Sequence, residues 1–434
     1  MTIPVGASPK LLPRVWLAVV GLSLMVASEY AIRQRGLGRS LGGRPDAQIL
    51  LEVVVYGVAI VFLFFQLVEP PRRGRLPVLL MAMWAFTLAM FFAAFYSPFP
   101  ELALVRAGQL MVAASLGHLV ARHASEQALH RLGHAFVVVV SASVVAGVVL
   151  PKGVIVGAPG RFHWLYVHPN IAAVFVGIAL VILLAYLLHG DRRSVPWSNR
   201  VYGALFALNL AAMLATRSRG ALAGTVLSAL AVAYAAAPRR RKLDLAVMGA
   251  AIVVLTMLLA GSDILLFLQR GESAEQIGSL NSRTSVWTQG WELFGQRPLF
   301  GHGFMSARGV FVENFGLGGA HNAFFEVLVN AGIFGVTWWI ALLVLAFRSA
   351  GRLVSRHRRH PDGPLLLGML VFMVMSATTQ GGLGQAATVQ SIWLFLVVGW
   401  LIAADRLARD APSMASGGAA DGPIPRPSRS ARPY

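Results

Sequence analysis

The chain has 434 residues, of which 56% are hydrophobic and only 13% charged. Soluble domains carry about 25% charged residues, so a water-soluble globular protein is excluded. Cysteine is absent, which rules out disulfides, thiolate nucleophiles and cysteine-ligated zinc. The formal charge of +19 does not require a nucleic-acid partner, because basic residues crowd the cytoplasmic loops of membrane proteins.

A membrane-spanning helix needs roughly 20 mostly apolar residues. Twelve segments are candidates: 15–32, 48–68, 76–96, 101–120, 132–150, 169–189, 200–216, 220–237, 243–261, 323–347, 364–380 and 386–404. The expected fold class is therefore all-α, a polytopic integral membrane protein of about 12 transmembrane helices. Lys10 and Arg14 lead directly into the first span, which is expected to stay as an anchor.

Lys and Arg set the expected orientation. With a cytoplasmic N-terminus, the short loops place seventeen basic residues inside and eight outside, the first outer loop (Arg33, Arg35, Arg39, Arg44) being the exception. Residues 1–14 are then a cytoplasmic N-terminus, 15–261 hold spans one to nine, and 262–322 form a long, partly helical external loop. Residues 323–404 hold spans ten to twelve. The Pro-, Gly-, Ser- and Arg-rich stretch 405–434 is expected to be a disordered cytoplasmic tail.

This topology gathers polar residues at one depth. Glu29 ends an outward-going span, and Glu52 and Arg106 lie roughly 7 Å into inward-going ones. His163, His168 and Asn170 stand at the start of the sixth span, and Arg217 and Arg219 form the turn T-R-S-R-G. Ionisable groups facing lipid are costly, so these are expected to turn inward, paired or functional. Glu52 with Arg106 reads as a structural ion pair, whereas the whole set suggests a polar cavity open to the external side. The inner halves of the spans are largely free of charge, with His118 the main exception.

The long loop carries the motifs. Arg283-x-x-x-Trp287 opens a helix expected over 284–295, with Ser279, Asn281, Ser282 and Thr284 available to cap it. Trp287, Trp291 and Phe294 form a stripe, either an amphipathic face on the membrane or a sugar platform. Pro298-Leu299-Phe300-Gly301-His302-Gly303 reads as a turn, with His302 a loop histidine. His321-Asn322 opens the next apolar run, and Glu326 follows five positions on. Arginine stays charged and matches phosphate oxygens with its planar fork, so Arg219 and Arg283 are candidates to hold a diphosphate. Arg219 also reads as part of a plain polar hairpin tip.

From about His168 to Trp339 the order H-P-N, S-R-G, R-x-x-x-W, P-L-F-G-H-G and H-N resembles the core of the bacterial O-antigen ligase and polymerase superfamily of membrane glycosyltransferases. The resemblance implies transfer of a glycan from polyprenyl (undecaprenyl) pyrophosphate to an acceptor hydroxyl, on the external face of the inner membrane. It makes His321 the catalytic residue and Arg219 and Arg283 the binders of the donor pyrophosphate. Arg217, Asn322, Glu326, His168, Asn170 and Arg106 are supporting candidates. The acceptor is a lipid A core for a ligase and a growing glycan for an O-antigen or exopolysaccharide polymerase, and the motifs do not separate the two. No cofactor is expected, and the lack of paired carboxylates points to a metal-independent, inverting transfer. A lipid-linked glycan flippase is the rival from another class, but no inverted repeat is found and the polar residues stop in the outer half.

Overall fold

The computed structural model of the chain describes residues 12–30, 47–67, 77–123, 125–149, 161–163, 165–166, 168–188, 195–244, 247, 283–316, 318–356, 362–384 and 388–410. Thirteen α-helices lie among the described residues. They are α1 Leu12–Glu29, α2 Ala47–Leu67, α3 Val78–Ala94, α4 Pro100–His123, α5 Glu126–Val149, α6 Pro169–Leu187, α7 Asn199–Thr216, α8 Arg219–Ala236, α9 Arg283–Gln296, α10 Ser306–Phe315, α11 Ala323–Arg356, α12 Asp362–Ala377 and α13 Val389–Asp410. Among the described residues there is no strand, only an isolated antiparallel bridge between Tyr30 and Tyr166.

Six of these helices are long and apolar enough to cross a membrane: Pro100–His123, Gln127–Val149, Pro169–Leu187, Arg219–Ala236, Ala323–Ser355 and Val389–Leu407. The chain is a multi-pass membrane protein built from α-helices. Most of the expected ninth span, 243–261, and the loop residues 262–282 lie outside the described residues. Helix α13 reaches Asp410, so the helix extends into the segment expected to be tail.

Helix ends follow their sequence. Proline opens α4 and α6, where a missing N–H costs nothing. His168 caps α6 by accepting the N–H of Asn170 at 3.1 Å. Helix α13 is apolar almost all round and correspondingly central, with Trp393 and Trp400 fully buried. It crosses α4 closely enough that a Cβ on Gly399 would lie 2.2 Å from the carbonyl oxygen of Gly117, a small-residue contact typical of membrane helices.

The bundle has two polar ends. At one end α6, α8, α11 and α13 begin, and α1, α3, α7 and α12 finish. The opposite end contains a polar network centred just beyond the edges of the expected spans. There Asp362 lies 3.1 Å from Nε2 of His130, both side chains being 2% exposed, and accepts the indole N–H of Trp400 at 2.9 Å. Nδ1 of His130 lies 3.1 Å from the Tyr186 hydroxyl, and Nε2 of His134 lies 2.7 Å from that of Tyr202.

Candidate active site

Helix α11 is broken at Gly332, whose φ of 60° and ψ of −158° only glycine adopts readily. The break strands backbone groups, and the P-L-F-G-H-G turn takes them up. The N–H groups of His302 and Gly303 donate to the carbonyls of Val329 and Asn330 at 2.8 and 3.0 Å. In return, Ile333 and Phe334 donate to the carbonyls of Pro298 and Leu299 at 2.9 and 3.1 Å. A Cβ on Gly301 would fall 2.6 Å from the Val329 oxygen, so glycine is needed on both sides of this insertion. His302 places Nε2 2.7 Å from the Leu293 carbonyl and is a structural group of the turn.

The same break orients α10. Asn330 accepts the N–H of Ala307 at 2.9 Å and the hydroxyl of Ser306 at 3.2 Å through Oδ1, fixing the start of that helix. On the opposite side the segment docks on the end of α3, where Ser97 donates to the Phe304 carbonyl at 2.6 Å.

His321 stands just before α11 with φ of 50°, left-handed backbone that costs a side-chain-bearing residue about 1–2 kcal/mol. Its neighbours hold it there. The indole of Trp287 donates to the Ala320 carbonyl at 3.1 Å and stacks on Phe325 at 5.7 Å. Asn322 caps α11, accepting the N–H groups of Phe324 and Phe325 at 2.9 and 3.4 Å. The Glu326 carboxylate accepts the N–H groups of Ala320 and His321. Burial, and then the nearby charge of Arg283, push the His321 imidazole down to about 4. At neutral pH it is an uncharged ring, able to accept a proton.

Arg219 is the first residue of α8, and exposed Arg217 ends α7 in left-handed backbone, φ 49°. Ser218 between them does not cap α8, because its hydroxyl turns to Oδ1 of Asn170 at 3.2 Å. The same oxygen accepts from Arg161 at 2.7 Å, while Arg161 also donates to the Thr216 carbonyl at 2.9 Å. Gly220 in S-R-G is explained by contact, since a Cβ there would sit 2.0 Å from Oγ1 of Thr379. The neighbouring Thr378 carbonyl accepts from Asn322 at 3.4 Å, and Gln380 donates to the Asn170 carbonyl at 3.3 Å. One turn, 378–380, thus ties together the S-R-G, H-P-N and H-N motifs.

Arg106 belongs to a second cluster. It donates to Gln109 at 2.9 Å and lies 3.5 Å from Glu52, the ion pair that the sequence suggested. Glu29, Glu52, Arg106 and Arg308 interact electrostatically, and Arg308 acts in turn on Glu326.

The O-antigen ligase family profile matches residues 204–340, which hold Arg219, Arg283, the inserted turn and His321. An O-antigen ligase of Pseudomonas aeruginosa is similar at 26% identity over 215 residues, 49% of each chain. Over this region the chain is similar to the O-antigen ligase superfamily. It spans about half the length of the curated relative it matches.

Within and around the matched region, the structure gives the expected residues distinct positions. Arg283 and His321 are neighbours, and His168 and Asn322 act as helix caps. Glu326 is nearer His321 than a five-residue spacing suggests, because it bonds to backbone rather than to the ring. Helix α9 starts at Arg283, and its proposed caps Ser279, Asn281 and Ser282 lie outside the described residues. The aromatic stripe is a packing surface against Phe324 and Phe325, with Trp291 still 52% exposed. Arg308, Arg161 and Asn330 were missed as site residues. The signal for Arg308 was an arginine flanked by Ser306, Ala307 and Gly309, small residues that leave room to bury it.

Proposed function

We propose that the protein is a ligase-type membrane glycosyltransferase that moves a glycan from polyprenyl pyrophosphate to an acceptor hydroxyl. The observation that carries this reading is the uncharged His321 beside Arg283, tied through the 378–380 turn to the start of α8 at Arg219. His321 takes the proton of the acceptor hydroxyl as its oxygen bonds to the anomeric carbon. The bond from that carbon to the pyrophosphate oxygen breaks with its electron pair, and attack from the opposite face inverts the configuration. Arg219 and Arg283 bind the pyrophosphate and offset the charge that grows on it. The polyprenyl chain stays in the membrane, so chemistry at the helix ends suits a lipid-linked donor. We place the site on the external face, with both termini cytoplasmic and the donor held without a metal.

The test uses full-length protein in proteoliposomes with a polyprenyl-pyrophosphate-linked glycan and excess chelator. Transfer should proceed, Arg219→Ala and Arg283→Ala should weaken donor binding, and His321→Ala should abolish transfer while donor still binds. Near-normal transfer by a stably inserted His321→Ala protein would overturn the assignment.

A further inference from the structure

Glu326 lies on the first turn of α11 and is 3% exposed. Its carboxylate fills the space under the loop before the helix: a Cβ on Gly319, whose φ is 151°, would meet Oε1 at 2.3 Å. It accepts the N–H groups of Ala320 and His321, the two residues whose backbone decides where the imidazole points. A buried carboxyl needs hydrogen-bond partners, and these two amides supply them. Arg308 of α10 interacts electrostatically with it, and also with Glu29, Glu52 and Arg106. Arg308 is itself set by the break in α11, since Asn330 pins the start of its helix.

We infer that Glu326 and Arg308 are positioning residues for His321: Glu326 clamps the left-handed backbone at 320–321, and Arg308 helps to hold the clamp in place. The inference rests on His321 acting in transfer. Glutamine at 326 keeps an oxygen acceptor but offers only one. A neutral residue at 308 removes the electrostatic hold of Arg308, so the Glu326 side chain is free to withdraw from the loop. Neither side chain needs to touch donor or acceptor for this.

The experiment measures kcat for transfer and the Kd for a polyprenyl-pyrophosphate-linked glycan, on full-length Glu326→Gln, Arg308→Gln, the double variant and Gly319→Ala. Misplacing a catalytic group by about 1 Å costs about a hundredfold in rate, so each single variant should lose transfer on that scale while donor Kd stays within about threefold. The double variant should be no worse than Glu326→Gln alone, because both act through one clamp. Gly319→Ala, which pushes the carboxylate away without altering any charge, should reproduce the loss. Wild-type kcat in Glu326→Gln and Gly319→Ala would overturn the inference, as would equal losses of kcat and donor affinity in all variants. A parallel His321→Ala sample separates the two readings. If it transfers normally, the role of His321 fails; if it is dead while the clamp variants are normal, only the clamp fails.

Discussion

Trp287 donates its indole N–H to the carbonyl of Ala320 at 3.1 Å, one residue before His321. The tryptophan of R-x-x-x-W is therefore a strut: Arg283, one turn earlier on α9, and the histidine loop are held to each other through it. Its ring lies flat on Phe325, with 11° between the planes, so the remainder of the side chain is packing.

Trp287→Phe separates these two functions. Phenylalanine keeps most of the stack and removes the donor, and one hydrogen bond contributes about 1 kcal/mol. Transfer should fall about tenfold with protein level unchanged, since a loosened loop spends less time in the reactive geometry. Assays in proteoliposomes of matched protein content provide the check, and unaltered turnover would remove the strut role.

Gly332→Ala addresses the broken helix. Its backbone lies in a region open essentially to glycine, and a Cβ would land 2.6 Å from the Leu299 carbonyl. The insertion must shift, and with it four backbone hydrogen bonds between 298–303 and 329–334. A loss of about 2–4 kcal/mol is expected. Thermal unfolding in detergent should show a markedly lower midpoint, and a wild-type midpoint would mean that the turn is not clamped there.

Much of this arrangement was legible locally. Glycine and proline in P-L-F-G-H-G announce a turn, S-R-G announces a tight connection between two apolar runs, and H-N announces a helix start. What the turn inserts into was not legible, because Asn330-Ala331-Gly332 reads within the apolar run of 323–347 as ordinary helix. Arg308 was passed over for a similar reason: its significance comes from Glu326, Glu29 and Glu52, which are brought to it by three different helices. The His130–Asp362 pair was also invisible, since both residues fall just beyond the edges of expected spans and look like loop residues.

That pair yields a stability prediction independent of the site. Asp362 is 1% exposed and engages both His130 and Trp400, which belong to α5 and α13. Leaving buried polar groups without their partner typically costs about 1–3 kcal/mol. Asp362→Ala should therefore reduce the thermal midpoint and the amount of inserted protein. The molecules that do fold should transfer at a normal rate, because the network lies at the end of the bundle opposite His321. A normal midpoint, or a selective loss of turnover at full stability, would contradict this division.

The acid limb of activity tests the state of His321. Burial is the larger cause that lowers its pKa from 6.5 to about 4, and the charge of Arg283 is the second. A base that loses its proton so readily stays uncharged through the neutral range, and kcat/KM reports the free enzyme. The rate constant should therefore be nearly flat from about pH 8 to about pH 5, then fall with a midpoint near 4, not near 6.5. Arg283→Gln removes the smaller cause, so its acid limb should move part of the way up towards 6.5, even though donor affinity also drops. Folding responds in the same direction. Below 6.5 the unfolded chain binds a proton that folded His321 refuses until about 4, so this residue's contribution to stability is lost as pH falls through that window. Returning acid-treated samples to pH 7 before assay separates the two effects: reversible loss reports protonation, and persistent loss reports unfolding. An acid limb near 6.5 in the unsubstituted protein, fully reversible, would show that the ring is hydrated and that Arg283 does not face it.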